Sequence, residues 1–399
     1  MNMRALPVAS STLVNACGVG WTQVRRALRQ GESGLRPNDF APAGNLDTWI
    51  GRVAGIEQFA LPEALAHFDC RNQRLAMLAL DQDGFAEAVR ATCGRHGRER
   101  VGVFIGTSTS GILATELAHR ARAAYELPDI DTLSPAFYRY RHSMYAVTEF
   151  VRTVLGLRGP AMTVSTACSS SAKVFAQAAR AIAAGVCDAA VVGGVDSLAL
   201  STLYGFHSLA LLSRKPCRPF DADRDGISIG EAAGFALLDP SATGATALMG
   251  YGESSDAYHM SSPHPEGAGA KAAMRAALAS AALAADAIDY VNLHGTASRA
   301  NDEMEDMAVS SVFGANTSAG STKGWTGHTL GAAGVTEALL CVMALEDGWI
   351  PGTLNCRTLD PTMKSRIELD SPPATPRYAM TNSFGFGGNN CSLVFGVAP

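Results

Sequence analysis

The sequence predicts an α/β fold made by duplication. Two observations carry this reading. A buried strand entering a small polar turn occurs twice: Val101 to Ile105 enters GTSTS, and Ile288 to Leu293 enters HGTAS. A small-residue helix that ends in glycine also occurs twice, within Met162 to Gly185 and within Gly320 to Gly348. Strands alternating with helical periodicity point to α/β layering. The halves change over near Pro240 to Thr246, giving an N-terminal half of residues 1–242 and a C-terminal half of residues 243–399.

In chain order, a short apolar run, Ala5 to Ala9, comes first. Trp21, Val24 and Leu28 give helical spacing over Trp21 to Gln30, with Arg25, Arg26 and Arg29 on the other side. Residues 36–60 read as loop, with a candidate strand at Ile50 to Val53. Asn72 to Arg90 reads as one long amphipathic helix. Residues 112–158 read as mostly helical, interrupted by Pro128 and Pro135. Met162 to Thr166 is β-rich. Val174, Phe175, Ala178, Ala179 and Ile182 then continue as a helix stopped by Gly185. DAAVVGGVDSL is another buried strand. The charges within Cys217 to Asp239 (Asp221, Asp223, Arg224, Asp225, Glu231) fit a solvated loop and a buried ion-pair brace equally well. YAMTNSFGFGGNNCSLVFG closes the chain as strand, Gly/Phe turn and strand.

Composition bounds the function. The 399 residues are 47% hydrophobic and 17% charged, too apolar for disorder. A net charge of −5 does not suggest a nucleic-acid surface. No run approaches the roughly 18 apolar residues of a membrane span. A charged segment followed by a long apolar one is lacking at the start, so no secretory leader is expected. Nine cysteines without CxxC or Cys/His metal spacing read as a reducing compartment. A cytoplasmic protein is the expectation.

Cys168 stands where strand turns into helix, with Ser169, Ser170 and Ser171 in the first turn. The helix dipole and its free N–H groups favour negative charge there, which predicts a lowered thiol pKa and a nucleophile. His294 follows a buried strand, and His328 begins the second Gly/Ala helix, five residues after Lys323. A reactive Cys with two imidazoles is equipment for acyl transfer. Neutral imidazole N–H groups donate to an oxygen as negative charge develops on it. Zinc is the rival use of Cys and His, but no paired ligand spacing supports it, so no metal is expected.

TACSSS around Cys168, RPFDADRDG at Arg218 to Gly226, HGT at His294, KGWTGH at Lys323 to His328 and NSFGFGG at Asn382 to Gly388 occur in order. Together they resemble the elongating β-ketoacyl-acyl carrier protein synthases of the Cys-His-His kind, and specialised branches such as the aryl polyene ketosynthases. The resemblance implies a thiolase fold, a duplicated five-layer αβαβα core, normally dimeric. It implies a decarboxylative condensation of a malonyl thioester with an acyl group held on Cys168. His294 and His328 would serve the malonyl half, and Lys323 would orient the site, paired with Glu305. Backbone N–H groups of Cys168 and Phe386 would form an oxyanion hole, with Phe386 on a gating loop. Thr296 and Ser298 match pantetheine contacts, and Thr109 and Phe384 match substrate-pocket positions, Thr109 in the path of an acyl tail. No cofactor is implied, because the substrates arrive on the phosphopantetheine of an acyl carrier protein.

Partners implied by the resemblance are that carrier and a second ketosynthase-fold subunit, identical or related. Arg71, Arg74 and Arg214 are the candidate carrier contacts. Several positions depart from the fatty acid elongators: Lys173 stands where they often have His, GGNN where they have GGTN, VASSTLVNACG where a GLG-type turn is usual, Thr109 in the acyl pocket, and basic residues are sparser near Ala66 and His67. Rival readings are a chain-length-factor subunit, which would lack the nucleophile, and a thiolase or chalcone-type enzyme. A thiolase needs a second Cys; Cys391 is available but reads as a strand residue. Chalcone-type enzymes pair Cys with His and Asn.

Overall fold

A computed structural model of the chain describes residues 3–123 and 134–398. Among the strands of the described residues, five in each half repeat one arrangement. The first half holds β1 (Leu6–Asn15), β2 (Val101–Gly106), β3 (Ala161–Val164), β4 (Ala189–Asp196) and β5 (Ala232–Leu238). The second holds β6 (Thr246–Ser255), β7 (Tyr290–Asn292), β8 (Ser318–Gly320), β9 (Tyr378–Gly385) and β10 (Asn389–Val397). The first half runs in the order β1-β5-β4-β2-β3 and the second in the order β6-β10-β9-β7-β8. Directions match as well: in each half the first two pairings are antiparallel and the last two parallel. β1 and β6 pair antiparallel and join the halves at Leu6–Leu248 and Pro7–Ala247. The duplication expected from two sets of motifs is therefore a duplication of strand order and direction.

Helices layer these sheets, among them α1 (Arg71–Leu80), α2 (Phe85–His96), α3 (Ala146–Val154), α4 (Ser170–Ala183), α5 (Ala268–Ala281), α6 (Arg299–Phe313) and α7 (Ala333–Asp347). Period-2 alternation sends neighbouring strand residues to opposite layers. Val103, Ile105 and Val191 face outward onto Leu75, Phe85 and Phe150 of α1, α2 and α3. Phe104 and Val192 face inward onto Val174, Phe175, Val335 and Leu339 of α4 and α7. Val291, Met380 and Val394 cover the outer side of the second sheet with Met274 of α5 and Met304 of α6. The result is five layers, αβαβα. α7 is buried from Ala333 to Leu345, as an all-round apolar helix between two sheets must be.

Some elements differ from expectation. The helix read over Asn72 to Arg90 is two helices. Asp83 and Gly84 both adopt positive φ and break it, and the Asp83 carboxylate accepts from Thr12 Oγ1 at 2.9 Å and from the N–H of Trp21 at 3.1 Å. Pro128, one of the expected interruptions, lies outside the described residues. The charges of the Cys217–Asp239 stretch divide: Asp223 and Asp225 are exposed, whereas Asp221, Arg224 and Glu231 form a buried brace. Arg224, fully buried, reaches Asp302 at 3.5 Å and Asp360 at 2.7 Å, and buried Glu231 takes Arg71 Nε at 2.8 Å.

The first turn of α4 lies directly on the sheet. A Cβ at Gly106 would sit 2.4 Å from the Ser171 nitrogen, and one at Gly194 would sit 2.4 Å from Ser171 Cβ. Gly106→Ala must therefore push α4 off β2, and overpacking of this kind costs about 1–3 kcal/mol. The expected outcome is a melting temperature several degrees lower together with reduced acylation of Cys168. A variant melting within about 1 °C of wild type would show that this contact does not seat the helix.

Candidate active site

Between β3 and α4 the chain makes a tight turn. Ala167 is held at φ 51, a left-handed conformation costly for a residue with a Cβ. Side-chain hydroxyls hold the turn. Ser170 Oγ accepts from the N–H of Thr166 at 2.9 Å and donates to the Ala167 carbonyl at 2.6 Å. Ser169 Oγ donates to the Thr166 carbonyl at 2.9 Å. Ser171 Oγ accepts from the N–H of Val335 at 2.8 Å, which ties the start of α4 to the start of α7. The TACSSS run thus aims Cys168 toward the second half of the molecule.

His328 arrives from that half. Its own backbone is pinned as a short bridge: its N–H donates to Ser228 O at 2.7 Å and its carbonyl accepts from Gly230 at 2.9 Å. Nε2 then lies 3.0 Å from Cys168 Sγ. His294 leaves the end of β7 with its ring 5.2 Å from that of His328, edge-on at 87°. Lys323 Nζ donates to the His294 carbonyl at 2.5 Å and sits 3.4 Å from His294 Nδ1.

The pairing of Lys323 with Glu305 expected from the resemblance is corrected. Lys323 pairs with Glu337, the one carboxylate within the buried span Ala333 to Leu345 of α7, and the side chains are 1% and 3% exposed. Glu305 instead accepts the N–H groups of His294 and Gly295, each at 2.7 Å, and Asn382 Nδ2 at 3.3 Å. It holds the backbone that carries His294. Burial pushes the Glu305 carboxyl up to about 7, against those two N–H groups.

Electrostatics also correct the expected thiol. Burial pushes Cys168 up to about 11; Lys323 and the Phe386 N–H oppose it, while Glu337 and Asp196 add to it. Desolvation of the thiolate is the largest of these effects, in keeping with the 5% exposure of Cys168. Burial first, and then Lys323, hold both histidines well below the usual imidazole value. At rest the site is a neutral thiol against neutral imidazoles. The donor atoms of Cys168, His294 and His328 lie within 4.8 Å of one another, near enough to share one cation, but the Lys323 ammonium beside His294 sets positive charge against that use.

A cavity of ≈ 230 Å³ opens onto this cluster. Thr296, Ser298, Phe384 and Phe386 line it with Cys168, His294 and His328, as do apolar Phe206, Leu211 and Ile227. Thr296 Oγ1 and Ser298 Oγ are 2.9 Å apart. Phe386 stacks obliquely on Phe206 at 5.5 Å, and Gly387 and Gly388 behind it take positive φ. Thr109 is not brought into this lining. It is 1% exposed, and its hydroxyl donates to Asp196 at 2.8 Å. The penalty expected for an unsatisfied hydroxyl in an acyl path does not apply. The two departures at Lys173 and Asn389 touch each other, Nζ to Oδ1 at 3.4 Å.

Sequence reasoning missed Glu337 and Asp196. A single acid inside an apolar helix, and one ending an apolar strand, were the available signals. Of the candidate carrier contacts, Arg71 is bound to Glu231 and Glu57, and Arg74 to Asp69. Arg214 is the most exposed of the three, its side chain 78% exposed, and lies 3.6 Å from the similarly exposed Asp47.

Comparison with known proteins agrees with this geometry. Residues 70–243 match the family model described as Beta-ketoacyl synthase, N-terminal domain, and residues 245–357 match Beta-ketoacyl synthase, C-terminal domain. The chain is 36% identical to Nodulation protein E of Rhizobium meliloti (strain 1021), over 95% of this chain and 96% of that one. It is 34% identical to 3-oxoacyl-[acyl-carrier-protein] synthase 2 of Vibrio harveyi, over 99% of each. A solved ketosynthase (ApeO) in complex with its chain length factor (ApeC), from Xenorhabdus doucetiae, superposes with a TM-score of 0.90 at 39% identity, covering 99% of this chain and 98% of that one.

The Lys323–Glu337 pair generates a prediction. Removing one partner leaves a buried charge alone, at a cost of about 3–5 kcal/mol. In a double-mutant cycle on thermal stability, Lys323→Met and Glu337→Met should be non-additive by about 1–3 kcal/mol. Coupling of Lys323→Met with Glu305→Gln should be distinctly smaller. Equal coupling would return Glu305 as the partner.

Proposed function

This chain belongs to the β-ketoacyl synthase family and is a condensing enzyme of fatty acid or polyketide synthesis, and we propose that it is the catalytic subunit of a carrier-dependent ketosynthase pair. The observation that carries the reading is Cys168 Sγ at 3.0 Å from His328 Nε2, with His294 edge-on beside it.

In this reading the Cys168 sulfur attacks the acyl thioester of the carrier. The new S–C bond forms as the old one breaks, and the thiol proton leaves with the pantetheine sulfur. N–H groups of Cys168 and Phe386 face the developing oxyanion. The malonyl thioester then enters past Thr296, Ser298 and Phe384. As carbon dioxide leaves, negative charge collects on the thioester oxygen, where His294 and His328 donate. Their low pKa supports this role, since a neutral imidazole is an N–H donor that needs no proton exchange. The carbanion attacks the acyl carbonyl, the S–C bond to Cys168 breaks, the released sulfur takes up one proton from solvent to return to the thiol, and a 3-oxoacyl thioester two carbons longer departs. No bound cofactor enters these steps.

A related non-catalytic subunit is the proposed partner, by analogy with the chain length factor named for the Xenorhabdus doucetiae complex. The strand before Cys168, β3, ends the sheet among the described residues, and its Met162 is 45% exposed. Polyene-type substrates are the proposed acyl class, a reading that rests on the resemblance of the sequence motifs to the aryl polyene ketosynthases. Among the described residues no helix is long and apolar enough to cross a membrane, and a cytoplasmic setting is proposed with the carrier.

Intact mass after incubation with acyl carrier thioesters tests the reading. Wild type should gain one acyl group and Cys168→Ala none. His294→Ala should still acylate, while malonyl decarboxylation falls about a hundredfold, the scale of a lost oxyanion donor. An adduct that persists in Cys168→Ala, or equal slight losses in both half-reactions, contradicts the assignment.

A further inference from the structure

Asp196 ends β4, the central strand of the first half, and is fully buried. Its two oxygens accept six donors. Oδ1 takes Thr107 Oγ1 at 2.6 Å, the Thr109 N–H at 2.9 Å and Thr109 Oγ1 at 2.8 Å. Oδ2 takes Ser108 Oγ at 2.6 Å and the Gly331 N–H at 2.6 Å, and the Ser108 N–H is shared between the two oxygens at 2.9 and 3.0 Å. This is the acceptor-only pattern of a carboxylate. Among the described residues no Lys or Arg lies within ion-pair reach of it. A buried charge held by N–H and O–H donors alone is an expensive device for packing.

What those donors belong to explains the device. Thr107, Ser108 and Thr109 form the turn after β2 in the first half. Gly331 is three residues past His328 in the second, after Leu330 at φ 56. A Cβ at Gly331 would lie 2.6 Å from Asp196 Oδ2, so the carboxylate reaches this turn only because the position is glycine. Upstream, His328 is held by Ser228 and Gly230. Downstream, the first tie is Asp196, assisted by Ser108 Oγ at 3.1 Å from the Gly331 nitrogen. We infer that Asp196 is a positioning residue for the malonyl half-reaction: it locks the His328 turn of one half against the Thr107–Thr109 turn of the other. This rests on the condensing-enzyme reading, and it assigns a function to a residue outside the catalytic cluster.

Its charge has a second, separable effect. With burial and Glu337 it pushes the Cys168 thiol up, against Lys323 and the Phe386 N–H. Removing the charge should therefore free the thiolate while loosening His328, two changes of opposite sign. Unfolding would also expose the Cys168 thiol and speed its alkylation, so both rates are compared on protein whose melting curve shows it folded.

Asp196→Asn keeps the shape and turns one acceptor into a donor facing donors. Decarboxylation of malonyl-carrier should fall by about tenfold or more, equivalent to about 1.4 kcal/mol. Alkylation of Cys168 by iodoacetamide at fixed pH, followed on its own peptide, should become faster. Decarboxylation within about twofold of wild type, or a parallel fall in both rates, overturns the inference. Should that variant not fold, Ser108→Ala removes one donor and the second support of Gly331. It should slow decarboxylation about threefold and leave Cys168 alkylation nearly unchanged. No slowing there overturns the inference, whereas failure of the function itself would show as absent acylation of wild-type Cys168.

Discussion

Two helices share one layer between two sheets, and the rest of the molecule follows from how closely they must approach there. α4 and α7 both start at the active site. Gly334 sits against the Ala172 backbone, where a Cβ would come within 2.4 Å of its nitrogen. Ser171 caps Val335 across the same seam. At the contact itself stand Ser171, Ala172 and Gly334, and even a Cβ on Gly334 would clash. That tightness places a thiol from one half and an imidazole from the other within 3.0 Å, and it excludes water from both.

Exclusion of water then dictates the polar chemistry around the site. A buried polar group without a partner costs several kcal/mol in transfer terms. Lys323 accordingly has Glu337 and the His294 carbonyl, Glu305 has two backbone N–H groups, and Asp196 has six donors. Each of these anchors fixes the backbone or side chain of a catalytic group. The same dryness keeps Cys168 and both histidines uncharged at rest. In the proposed cycle charge develops only when a thioester occupies the site, where prepositioned N–H groups meet it.

Much of this was legible in the sequence because glycine, serine and histidine at element ends carry local meaning. The duplicated strand–turn pattern gave the halves, and TACSSS, HGT and KGWTGH marked the three residues that meet. Long-range choices were not legible. Glu305 stands at the expected spacing after His294, yet it turns to the backbone because Glu337, fourteen residues after Lys323, fills the space beside the ammonium. A dipole argument is local and favoured the thiolate, whereas burial is a property of the whole assembly and reverses the sign. Thr109 read as a bare hydroxyl because nothing in its neighbourhood announces Asp196, eighty-seven residues away. Arg71 read as a surface cation for the same reason, although Glu231 lies 160 residues on.

The central claim is that burial keeps Cys168 and His328 a neutral pair at rest, and the pH dependence of Cys168 alkylation tests it most directly. The rate constant for iodoacetamide at the Cys168 peptide should rise about tenfold per pH unit through about pH 9, since only the thiolate reacts. It should bend toward a plateau only near the raised thiol pKa of about 11. A plateau already established between about pH 6 and 8 would mean a resting thiolate–imidazolium pair, and would contradict the account.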